Sequence, residues 1–143
     1  MAGTITATTF AAKGRGLVRA NCAMTCVAGA IAAAGIGTFF GRLVAIGYDP
    51  VAGGGATMAT TADILLTDAW TGAPIISDLD MGTARWERPT VAIVDAAGAA
   101  VTPATTAPNC NRDIFVAGPL NLAVANATTT DTGLVSFVFD GGN

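Results

Sequence analysis

In FVAGPLNLAVANATTTDTGLVSFVFD, residues 115–140, side chains alternate with a period of two on both sides of a short polar link. That period fits an extended chain rather than a helix. Leu122, Val124 and Asn126 share one side, and Asn121, Ala123 and Ala125 the other. Val135, Phe137 and Phe139 then repeat the apolar side against Ser136 and Asp140. The link NATTTDTG is polar and ends in glycine, so the two runs are expected to pair as an antiparallel hairpin with the large side chains in a core. The opposite face is small and nearly uncharged, an unusual composition for a surface that meets only water.

The same alternation marks strands at 3–9, 15–19, 38–48, 61–69, 74–78, 90–96, 113–118, 120–126 and 133–140. Glycine or proline punctuates most gaps, and no segment carries a convincing amphipathic helical period. The expected fold is therefore all-β: an antiparallel two-sheet β-sandwich or jelly roll. The 143 residues suit one domain. Within it, residues 1–20 are expected to form an extended N-terminal arm and residues 21–143 the sandwich, with long loops at DPVAGGGATMAT and TPATTAPNCN.

Charge is scarce. Only 12% of residues are charged, against about 25% in an ordinary soluble domain, so much of the surface is expected to be covered in an assembly or a bilayer. The net charge of −3 argues against nucleic acid, because phosphate binding needs a basic patch. Lys13, Arg15, Arg19 and Arg42 give +4 before Tyr48, whereas three arginines and ten acids give −7 after it. A basic arm on an acidic body is a docking polarity. CAMTCVAGAIAAAGIGTFFG, residues 22–41, is uncharged over a membrane-span length. It is mostly Ala, Gly and Thr and has no aromatic belt, so a loop and the start of a buried strand running on through FFGRLVAIGYD are expected instead of a span. The Thr-rich residues 1–12 do not read as a signal peptide.

Catalytic chemistry finds little to work with. The chain has no histidine, which removes the Ser–His–Asp and Cys–His arrangements that activate a nucleophile. Cys22, Cys26 and Cys110 are an odd set in a chain without a secretory signal, and are expected to be free thiols rather than zinc ligands. The glycines at 53–55 lack the Gly-Lys-Ser/Thr ending of a phosphate-binding loop. Asp78 and Asp80, in SDLDMG, could serve a calcium loop or a glycosidase pair, but the next acid, Glu87, stands between two arginines. No catalytic, cofactor-binding or metal residue is expected. RWERP, residues 85–89, is the densest polar cluster, and Trp with Arg is the pairing in which interface hot spots are enriched.

RLVAIGYD, then TTADILLTDAWTGAPII, WERPTVAIVDAAG, DIFVAGPLNLAVANA and GLVSFVF resemble, in order and spacing, the capsid cement (decoration) proteins of tailed bacteriophages, of the jelly-roll type that coats a Bordetella phage head. The resemblance spans roughly residues 42–140. It implies a non-enzymatic virion protein, made in the host cytoplasm, that binds the exterior of a shell of major capsid protein and stabilises it. It also implies self-association as a homodimer or trimer, with neither nucleic acid nor membrane as partner. The interface residues expected on this reading are Lys13, Arg15, Arg19, Arg85, Trp86 and Arg88. The competing expectation is a surface or secreted β-sandwich that binds carbohydrate or calcium through Asp78, Asp80 and Trp86.

Overall fold

The computed structural model describes residues 2–12, 16–51, 54–77, 83–92 and 111–141. Its described residues form strands and the turns between them, without a helix: β1 (Thr4–Ala11), β2 (Leu17–Thr25), β3 (Ile31–Asp49), β4 (Ala56–Thr57), β5 (Asp63–Asp68), β6 (Pro74–Ile76), β7 (Arg85–Glu87), β8 (Thr90–Ala92), β9 (Asn111–Ala125) and β10 (Asp131–Asp140). The all-β reading holds. Hydrogen bonds join the strands in one path, β1-β2-β10-β3-β9-β5-β6, with β4 beside β10, β7 beside β3 and β8 beside β9. Every pairing is antiparallel except the short one between β10 and β4.

The path is not divided into the two sheets that the sequence leads one to expect, because β3 is long enough to belong to both halves. Its Arg42–Asp49 portion pairs with β10, and its Ile31–Leu43 portion pairs with β9. Gly41, just before the portion that pairs with β10, has φ +113°. A Cβ there would stand 2.2 Å from the carbonyl oxygen of Asp140, so only glycine lets the strand turn this tightly against the end of β10. The halves then face each other: Phe39 of β3 stacks on Phe139 of β10 with ring centroids 4.4 Å apart. Between them lies one core that includes Met24, Leu43, Ile64, Leu122 and Phe137.

The expected hairpin of residues 120–126 with 133–140 does not form. β9 and β10 lie on opposite sides of β3, and the link between them hydrogen-bonds elsewhere. Ala127 N donates to Gly29 O at 3.0 Å and Thr130 N to Cys26 O at 3.1 Å, so the link zips onto the β2–β3 turn. Positive φ at Asn126 and Thr130 gives it that shape. The large side chains of both strands still reach the core, across it rather than side by side; Val135, Phe137 and Leu122 are fully buried.

Three other expectations change. The N-terminal segment is in the sheet, with β1 paired to β2 from Thr4↔Thr25 to Ala11↔Val18. The boundary at residue 20 cuts β2, and Ala20 itself is fully buried. Residues 113–118 and 120–126 are one strand, because Gly118, with φ +150°, and Pro119 continue the ladder opposite Phe39 and Thr38. Residues 22–41 hold the end of β2, a tight turn and the start of β3; no helix among the described residues is long and apolar enough to cross a membrane.

Candidate interaction surface

Side-chain alternation sends Ala20, Cys22 and Met24 of β2 into the core and Arg19, Asn21 and Ala23 outward. β10 does the same with Val135, Phe137 and Phe139 against Leu134, Ser136 and Val138. Register then aligns one outward row across five strands. Trp86 of β7 pairs with Gly47 of β3, Gly47 with Ser136 of β10, Ser136 with Asn21 of β2, and Asn21 with Thr8 of β1.

The row is built around the Trp86 indole. A Cβ on Gly47 would approach its ring atoms to 2.8 Å, so the missing side chain makes the floor on which the ring lies. The Arg19 guanidinium carbon sits over the ring at 5.1 Å from the centroid, a cation–π arrangement. Arg19 is held there from below. Its Nε donates to Asn21 Oδ1 at 2.6 Å, its Nη2 donates to Ser136 Oγ at 3.2 Å, and Ser136 Oγ donates to Asn21 Oδ1 at 2.8 Å. Trp86 nevertheless remains 56% exposed, with its contact surface oriented before any partner arrives. Phe10, which pairs with Arg19 across β1 and β2, is 55% exposed. Two exposed aromatic side chains, Trp86 and Phe10, thus share the outer face with Arg19.

Arg85 turns to the edge of this surface. Its guanidinium lies 4.4 Å over the Tyr48 ring, and its Nε donates to Glu87 Oε1 at 2.5 Å. Burial, reinforced by the negative charge of Glu87 and opposed by Arg85, pushes the Tyr48 phenol well above its ordinary value, and among the described residues its hydroxyl has no hydrogen-bond partner. Arg88 makes no hydrogen bond, ion pair or ring contact with Trp86 or Arg19 and instead donates to Asp113 at 3.0 Å. Arg42 donates to the same carboxylate at 3.0 Å and to Asp140 at 3.4 Å. Hydrogen bonds from Arg42 and Arg88 hold the Asp113 carboxyl below its usual range. The positive charge of Arg42 is therefore matched within the chain and is not free for docking.

Of the residues that the sequence singles out, the structure brings Arg19, Arg85 and Trp86 together and sets Arg88 apart. Lys13, Arg15, Asp78, Asp80 and Cys110 lie outside the described residues. Cys22 and Cys26 are buried free thiols. Among the described residues, no group of three or more His, Cys, Asp or Glu side chains is placed to hold a metal. Phe10, Asn21, Gly47 and Ser136 belong to the surface but carry no local signal of it, since register alone assembles them. A second exposed aromatic group lies elsewhere in the sheet: Phe40 and Phe115, beside Arg42 on the β3–β9 ladder.

No family model, no curated protein and no solved structure matches the chain.

Proposed function

We propose that the protein is a structural component of a phage virion that binds the outside of an assembled shell of major capsid protein and stabilises it. The observation that carries this reading is the Trp86 row. It presents an exposed indole pre-set by a guanidinium, and that guanidinium is fixed by Asn21 and Ser136. Such a surface suits rigid protein–protein contact, where a few Trp and Arg residues carry most of the binding energy and their small neighbours exclude water. The open groove of about 360 Å³ beside the indole, lined by Arg19, Tyr48, Arg85 and Leu134, leaves room for side chains of a partner. The kind of partner is taken from the sequence resemblance to capsid cement proteins described above.

Co-sedimentation with purified capsids tests the proposal. The full chain is expected to pellet with expanded shells and to raise their resistance to heat. Trp86→Ala is expected to weaken attachment by about 2 kcal/mol, roughly thirtyfold, while its melting temperature stays near that of the wild type. Failure of the wild-type protein to associate with shells, or full attachment by the variant, would overturn it.

A further inference from the structure

Arg42, Arg85 and Arg88 each donate to a carboxylate of their own chain. Arg19 does not. Among the described residues it donates only to neutral oxygens, from Nε to Asn21 Oδ1 and from Nη2 to Ser136 Oγ. Those two bonds occupy one edge of the guanidinium. Nη1 has no partner among the described residues, and with the second hydrogen of Nη2 it forms the fork that meets both oxygens of a carboxylate. Arg19 is exposed, so this fork is open to a partner.

We propose that Arg19 is a carboxylate receptor: its free fork takes the side chain of a glutamate or aspartate on the protein that docks against the Trp86 row. The inference rests on the docking role proposed above for that row and adds the chemistry of what docks there. Trp86, Asn21 and Ser136 hold the guanidinium in place before binding, so little of its rotamer freedom is left to lose when the acid arrives. Trp86 and Leu134 line the open groove beside it. They offer apolar surface to the methylene stem of an acidic side chain while the fork takes its head.

The choice of a protein acid as occupant follows from the charges around the groove. A phosphate would satisfy the same fork, but a nucleic acid presents a row of phosphates and needs a row of cations to meet them. Here Arg85 is matched by Glu87, and Asp49, which also lines the groove, adds a negative charge. One unmatched guanidinium beside an acid suits one carboxylate rather than a polyanion. A free carboxylate gains little from a single exposed ion pair, whereas an acid carried on a protein surface brings contacts that cover the Trp86 indole as well.

Nuclear magnetic resonance titration of the full chain tests the site without shells, using a short polyglutamate peptide, a polyglutamine control and an oligothymidylate. Polyglutamate is expected to move the Trp86 indole and Ser136 amide signals and to saturate at roughly millimolar concentration, and polyglutamine to leave them in place. Arg19→Gln should abolish the response. Arg19→Lys, which keeps the charge without the fork, should weaken it about fivefold. On capsid shells Arg19→Gln should attach about tenfold more weakly than the wild type, and added salt should weaken the wild type more than the variant. Unmoved Trp86 signals with polyglutamate, an equal response to polyglutamine, or tighter binding of oligothymidylate would each overturn the proposal. So would full shell attachment by Arg19→Gln; if Trp86→Ala still loses attachment in that case, the function proposed above stands. A chain that binds polyglutamate through Arg19 yet ignores shells would support the carboxylate site and refute the shell as its partner.

Discussion

Asp131→Ala removes a carboxylate that ties the β9–β10 link to the loop before β5. Asp131 is 1% exposed. Its Oδ2 accepts from Ala59 N at 2.9 Å and from Thr128 N at 2.8 Å, and its Oδ1 accepts from the Thr128 hydroxyl. Alanine leaves all three donors without this acceptor. Thr128 is exposed, so water replaces its lost partners cheaply, whereas Ala59 N is half-buried and bears most of the cost. At roughly 1–3 kcal/mol for a stranded buried donor and less for an exposed one, the loss comes to about 3 kcal/mol, or about 10 °C in melting temperature for a chain of this size. Burial by itself would raise the Asp131 carboxyl, but the hydrogen bonds from Thr128 and Ala59 outweigh it and hold it below its ordinary value. The contribution is therefore complete above the unfolded value of about 3.9 and vanishes as pH falls through the lower folded value. Asp131→Asn keeps one acceptor, so its stability at neutral pH should fall between the two, and its acid-side decline should be shallower than that of the wild type. Urea unfolding at pH 7 and a series of melts below pH 5 measure both effects. An alanine variant within about 0.5 kcal/mol of the wild type, or superimposable acid profiles for wild type and asparagine, would refute the reasoning.

Gly41→Ala should yield little folded protein, because the added carbon meets the Asp140 carbonyl and the backbone sits at positive φ; the soluble fraction after expression is the measure. Gly47→Ala should leave the core intact yet lift Trp86 off its floor, seen as a shift in tryptophan emission with far-ultraviolet circular dichroism unchanged. Burial pushes the Cys22 thiol up to about 12 and raises that of Cys26, with Asp131 adding to the latter. In a Cys110→Ser variant, thiol reagent at pH 8 should therefore label neither cysteine until urea unfolds the protein.

Period-two alternation was readable in the sequence wherever large and small side chains take turns, as in Leu120–Ala125 and Leu134–Phe139, and it correctly separates core side from outer side there. Partner choice was not. The Leu122 pattern is the same whether its strand pairs with residues 133–140 or with β3, and the decision rests on amides of Ala127 and Thr130 that bond to a turn a hundred residues earlier. The early start of β3 was hidden because Ala, Gly and Thr leave alternation nothing to act on, and the turn at Gly41 depends on the Asp140 carbonyl, which is remote in sequence. Trp86 and Arg19 could be singled out by residue type, but their meeting could not, since Arg19 reaches Trp86 over two intervening strands.

The placement of β10 between β2 and β3 governs the order in which the molecule can be made. Arg19 and Ser136, which touch in the finished sheet, are 117 residues apart in the chain. On a ribosome that extends the chain by about 5–20 residues per second, β2 and β3 wait several seconds for the strand that fills the gap between them. Until then each presents an unpaired ladder to its surroundings, and the closure of so long a loop makes the final step slow. Nascent chains crowded on one message are therefore most exposed to mispairing in that interval, and a chaperone that shields β2 and β3 until β10 has emerged would raise the yield of correctly folded protein.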